Sequence, residues 1–132
     1  MQELKGYKIS EDGVNFVNLT PHALNVVDRN GKIHNIEPSG IVARVTTSKM
    51  VVGSTDNFSF TAEVTGNVVD IPEPQWLTLY IVSRVVATQL MDRTDVLVPG
   101  DFIRDEAGNI VGCNGFSMIR KTLNFRKENK ND

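Results

Sequence analysis

Apolar residues in this chain come in short runs divided by polar or Gly/Pro-containing clusters, and the dominant period is two rather than 3.6. Phe16-Val17-Asn18-Leu19 predicts a strand, broken at Thr20-Pro21-His22-Ala23 by a single helical turn or tight bend, because Thr can cap and Pro suits a first helical position. Leu24-Asn25-Val26-Val27 resumes the extended pattern. Asp28-Arg29-Asn30-Gly31 predicts a hairpin turn, since Asn and Gly both tolerate positive φ. Residues 32–36 form its return strand, with a bulge or fraying near Glu37 because Ile33 and Ile36 do not alternate strictly. A turn at Pro38-Ser39-Gly40 leads to a strand over 41–45. Phe58, Phe60, Ala62 and Val64 alternate with Ser59, Thr61 and Glu63, which predicts a half-buried strand beyond a loop tip at 54–57. Thr65-Gly66-Asn67 reads as a turn, and Ile71-Pro72-Glu73-Pro74-Gln75 as a polyproline-like connector.

Thr78-Leu79-Tyr80-Ile81-Val82 is a continuous apolar run suited to a central strand. Ser83 then caps a helix over 84–91, with Val86 and Leu90, and Ala87 and Met91, on one face. Residues 96–98 predict a strand ending in a Pro99-Gly100 turn, residues 102–113 a hairpin around Asp105-Glu106-Ala107-Gly108, and residues 116–119 a last strand. The Asp-x-x-Gly-x-Ile pattern occurs at Asp28 to Ile33 and again at Asp105 to Ile110, as repeated turn chemistry. The first dozen residues read as a loose lead-in, with order from about Val14, and the chain from Arg120 as a frayed basic tail. The expected fold is mainly β, with α+β at the margin: a small antiparallel β-barrel or sandwich with one short helix near 84–91. It forms a single domain over 1–132, with an ordered core of about 14–120.

Composition narrows the function classes. The 132 residues carry 16 acidic and 14 basic side chains, a net charge of -2, which argues against a strongly basic nucleic-acid binder. No apolar run approaches the roughly 20 residues of a membrane helix, and Met1 to Gly6 lacks an apolar leader core, so a cytoplasmic setting is expected. The single cysteine, Cys113, cannot form an internal disulfide, and two histidines, His22 and His34, supply at most part of a metal site. No metal or cofactor is expected.

Asn18-Leu19-Thr20-Pro21-His22, Pro38-Ser39-Gly40 with Ala43-Arg44-Val45, Tyr80-Ile81-Val82-Ser83, Arg93-Thr94-Asp95-Val96, Pro99-Gly100 and Arg104-Asp105-x-x-Gly108-x-Ile110-x-Gly112-Cys113 stand in this order. The ordered set resembles a family of small proteins from bacteriophages, prophages and bacteria, over roughly residues 16–116. The resemblance implies a source, an accessory product working in a bacterial cytoplasm, rather than a chemistry.

The candidate site residues are those able to hold an anion. Thr20 and His22 sit at a polar corner; Ser83 and Arg84 at a strand-to-helix junction with free N–H groups; Arg44, Arg93 and Arg104 can fork onto phosphate, with Asp95 on a ribose hydroxyl. The competing reading makes Ser83 a plain cap, Arg93–Asp95 an ion pair and Asp105 a turn former. A nucleophile built from Cys113 or Ser83 with His22 and Asp95 lacks any elbow motif, and Trp76 beside the prolines suits packing more than base stacking. The expectation is a binding protein rather than an enzyme, taking a small anionic metabolite or nucleotide, as a homo-oligomer with no membrane or nucleic-acid partner. A phage-encoded sponge for a nucleotide-derived host immune signal is its narrowest form. A protein-interaction or structural accessory module and a small hydrolase are the alternatives.

Overall fold

The β-rich run at residues 78–82 forms a buried strand of the sheet, as its lack of alternation requires. A computed structural model describes residues 5–8 and 13–121. Its strands are β1 (Tyr7–Lys8), β2 (Asn15–Asn18), β3 (Leu24–Val27), β4 (Ile33–Ile36), β5 (Arg44–Ser54), β6 (Ser59–Val69), β7 (Thr78–Ile81), β8 (Val96–Arg104) and β9 (Ile110–Ser117), with helix α1 (Arg84–Thr88) between β7 and β8. Seven strands make one sheet in the order β1-β2-β7-β8-β9-β3-β4, and β5 and β6 pair only with each other. The sheet curls until its ends meet. Tyr7 on β1 bonds His34 on β4, and Asn18 at the end of β2 bonds the Ile36 carbonyl and bridges Pro38. The result is a small, nearly closed barrel, mainly β as expected. Its pairing is mixed rather than antiparallel: β2–β7, β7–β8 and β3–β9 run parallel.

The two faces of β7 divide the core. Tyr80 and Val82 join Val17, Leu19, Val96 and Val98 beneath α1, with Val86 and Ala87 of the helix completing that layer. Ile81 faces the other way, with Val26, Ile36 and Cys113, into the barrel; Tyr7, Phe16, Leu24 and Phe116 pack around them. Residues 2 apart on a strand share a face. Hence Phe16 and Asn18 belong to the interior and Val17 and Leu19 to the helix layer.

Several boundaries differ from expectation. Order begins before Val14, because Tyr7 and Lys8 pair with Phe16 and Asn15. The helix stops at Thr88, and the N–H groups of Gln89 and Leu90 turn back onto the carbonyls of Val86 and Ala87. Its β-branched residues at 85, 86 and 88 weaken further propagation. Pro99-Gly100 is no turn but the middle of β8. A Cβ on Gly100 would collide with the backbone oxygen of Asn114 on β9, so glycine is there to let two strands approach. Residues 41–43 are not strand, and β5 starts at Arg44. Thr65-Gly66-Asn67 does not reverse the chain; β6 passes through it with a register shift against Val45 and Thr47. Residues 116–117 belong to β9 rather than to a separate strand. Of the tail expected to fray, residues 122–132 lie outside the described residues, as do 1–4 and 9–12 of the lead-in.

Strands β5 and β6 form an arm of eleven residues a side, about 35 Å long at the usual rise. Its root packs on the helix layer through Val45 and Val68. The alternation expected over 58–64 is present, but the burial is not: Phe60 and Val64 are each 51 % exposed and Phe58 is 70 % exposed. Trp76, expected to pack, is 87 % exposed. No described helix is long and apolar enough to cross a membrane.

Candidate functional site

The barrel interior opens into a cavity of about 470 Å³ between β1, β2, the β3–β4 hairpin and the end of β9. Phe16 and Phe116 line it as a stacked pair, ring centroids 5.3 Å apart and planes 15° from parallel, beside Val26, Val27 and Ile36. The polar wall is a chain of three side chains. Asp28 Oδ2 lies 2.8 Å from His34 Nε2, and Tyr7 Oη lies 2.6 Å from His34 Nδ1. The Tyr7 and His34 rings meet edge-on, centroids 5.6 Å apart. Arg29 and Asn114 are exposed at the cavity's solvent side.

Local structure explains this wall. Asp28 begins a four-residue turn in which the Gly31 N–H bonds the Asp28 carbonyl at 3.0 Å and Gly31 takes φ +84°. Positive φ falls on the glycine alone, so this is a type I turn with a glycine bulge rather than the turn with two positive-φ residues that Asn-Gly suggests. Asp28 Oδ1 accepts from the N–H groups of Asn30 and Lys32, which leaves Oδ2 for His34. The bond to His34, followed by that from the Lys32 N–H, holds the Asp28 carboxyl below its ordinary value. On β4 the inward residues are His34 and Ile36, both buried, while Ile33 is exposed. The strand alternates after all, with a histidine standing where an apolar residue was sought, and no bulge is needed.

The eight residues singled out from the sequence do not gather. None lines this cavity, nor a second one of about 140 Å³ beside Leu24, Phe102 and Cys113. Thr20 and His22 belong to a corner built on buried Asn18, whose Oδ1 accepts from the Thr20 N–H and hydroxyl and whose Nδ2 donates to the carbonyls of His22 and Ile36. His22 is exposed, while the Thr20 N–H and hydroxyl and the Asn18 amide are spent inside the corner. Ser83 accepts from the Val86 N–H as a helix cap, and Arg84 is exposed. A helix of five residues offers little dipole to an anion. Arg44 reaches Asp70 at 3.7 Å at the root of the arm. Arg93 grips Asp95 through two bonds of 2.9 and 2.7 Å over the Tyr80 ring. That bond holds the Asp95 carboxyl below its usual value and raises Arg93. Arg104 donates to the Gly108 carbonyl within its own hairpin.

The paper triads do not form either. Cys113 is buried, its thiol pushed up by desolvation, and its Sγ faces the Gly115 carbonyl. Among the described residues no three of His, Cys, Asp and Glu cluster as metal ligands would. Comparison of the chain with family models, with curated proteins and with solved structures finds no match in any of the three.

Tyr7, Phe16, Asp28, His34 and Phe116 are not among the residues the sequence marks for a ligand; there Asp28 is a turn former and His34 at most part of a metal site. One signal was present: Asp28 and His34 stand six apart across a turn, and His34 is two residues from Ile36, in phase with the interior.

Proposed function

We propose that this protein binds a small molecule in the barrel cavity, with a planar apolar part against Phe16 and Phe116 and a polar edge on the Asp28–His34–Tyr7 chain. The cavity's volume is the observation that carries the reading, since about 470 Å³ falls in the range of small-molecule sites, roughly 300–1,000 Å³. A few convergent polar groups in an apolar cavity are the usual means of orienting such a ligand. The narrower form, a phage-encoded sponge for a nucleotide-derived host signal, puts the base on the phenylalanine pair. Its phosphates then have Arg29 at the rim, in place of the arginines singled out from the sequence.

Isothermal titration with cyclic and linear nucleotides and with neutral bicyclic aromatics tests the reading. Binding by at least one class, weakened about tenfold by Phe116→Ala through loss of a stacking face, is the expected result. Silence across the panel with folded protein ends it.

A second reading, an interaction module, is favoured by the arm. Met50, Phe60, Ala62 and Val64 share one of its faces, and Met50, Phe60 and Val64 are exposed. An isolated two-stranded ribbon is marginal in water. Its occupant in this reading is a second copy of the chain. In a two-fold pair of antiparallel arms the apolar stripes meet, and the exposed acid Asp56 at each tip comes to Arg44 at the partner's root. Sedimentation equilibrium decides: a dimer that Phe60→Ser converts to monomer supports it, and a monomeric parent chain rejects it.

A further inference from the structure

We propose that the cavity selects ligands that present a hydrogen-bond donor, because its inner polar wall has no hydrogen left to give. This rests on the small-molecule reading above and specifies its ligand class. The argument is a count of protons along three side chains. Asp28 is held as a carboxylate, which only accepts, so the hydrogen between it and His34 belongs to Nε2. In a neutral imidazole Nδ1 is then a bare acceptor, and the hydrogen in the 2.6 Å contact comes from the Tyr7 hydroxyl. Both mobile hydrogens of the chain are used. What Tyr7 Oη retains is lone-pair density, made richer by the polarisation that runs from Asp28 through the ring.

The remaining side-chain donors among the lining residues, Arg29 and Asn114, are exposed. The Tyr7–His34 pair is set deeper than these: His34 is 7 % exposed and Tyr7 half-buried. A bound ring with an N–H or O–H edge satisfies Tyr7 Oη. A ring with only acceptors, or with that donor methylated, covers the oxygen without matching its lone pairs, and a polar atom cut off from water without a partner for them costs affinity.

Indole, 1-methylindole and 3-methylindole isolate this effect, because the two methylated probes have the same added bulk and only one keeps the N–H. Titrations run at pH 8.5, where free imidazoles are neutral and phenols protonated. Indole and 3-methylindole are expected to bind about tenfold more tightly than 1-methylindole, and Tyr7→Phe, which keeps the ring against His34, brings all three together. Equal affinities in the parent protein overturn donor selection while leaving the cavity reading intact. A preference that survives Tyr7→Phe overturns its assignment to Tyr7. No binding of any of the three probes overturns donor selection among planar rings, while the cavity reading stands or falls separately on the nucleotide titrations. Thermal melts verify that Tyr7→Phe is folded, and the parent protein's own ranking of the three probes decides the donor rule without the variant.

Discussion

The β3–β4 and β8–β9 hairpins share one turn and put it to different uses. In each, an aspartate carbonyl accepts from the glycine N–H three residues on at 3.0 Å, and the aspartate N–H bonds the carbonyl four residues on at 2.9 Å. In each, Oδ1 accepts two backbone N–H groups, from Asn30 and Lys32 or from Ala107 and Asn109. The glycines take φ +84° and +88°. Five residues after each aspartate stands an exposed isoleucine, Ile33 or Ile110. The divergence comes at the sixth position. It is His34 in one hairpin, buried and reaching Asp28 Oδ2 at 2.8 Å, and exposed Val111 in the other. Among the described residues Asp105 Oδ2 has only the Asn109 amide, at 3.4 Å. A turn that is complete in itself thus leaves one carboxylate oxygen over. What stands on the return strand decides whether that oxygen is spent on solvent or on a cavity wall.

The largest test of that contrast removes each carboxylate in turn. Asp28→Ala strands a buried imidazole nitrogen and loosens the Tyr7 contact that joins the ends of the sheet, whereas Asp105→Ala releases N–H groups that water can reach. The Tm loss at Asp28 is expected to be at least about twice that at Asp105. Equal losses would mean that His34 draws nothing from its carboxylate. Acid sharpens the same comparison. Both carboxyls titrate below their ordinary value, Asp28 chiefly through His34 and Asp105 chiefly through the Asn109 N–H. Each therefore adds stability that is complete above the unfolded pKa of about 4 and is lost as pH falls through the folded value. Denaturation followed from pH 6 to pH 2 should flatten on its acid side in Asp28→Asn and Asp105→Asn alike, and more in the former.

The two aspartate-led hairpin turns were legible from the sequence because every bond that defines them lies within five residues. So were the strand character of 24–27 and the buried place of Tyr80 and Ile81, which follow from local runs. Barrel closure was not. Tyr7 and His34 are 27 residues apart, and Tyr7 lies in a polar stretch with no period to mark it. The arginines misled for a physical reason: a guanidinium suited to phosphate is equally suited to a nearby carboxylate or carbonyl, and Arg93 and Arg104 each found one within four residues. Alternation over 58–64 shows that β6 has two unlike faces and says nothing about what covers either, so an arm and a core strand read the same. Gly100 looked like a turn because a glycine needed for close strand approach has no sequence mark that separates it from one needed for φ, and Gly66, which faces the Thr46 hydroxyl across the arm, reads the same way.

The smallest effect expected is also the control for the rest. A Cβ on Gly31 or on Gly108 meets nothing within 4 Å, so alanine at either site costs only the left-handed backbone. That cost is about 1 kcal/mol in both hairpins. Urea denaturation should show the two single variants shifted by the same midpoint change at unchanged slope, and the double variant by their sum, since the sites share no partner. If Gly31→Ala instead costs clearly more than Gly108→Ala, the extra belongs to the path from the Lys32 N–H through Asp28 to His34, because steric space and backbone angle are matched at the two glycines. The turn would then do more than hold Asp28: its exact backbone shape would set the distance at which the carboxylate meets the imidazole, and the cavity wall would begin at Gly31 rather than at Asp28.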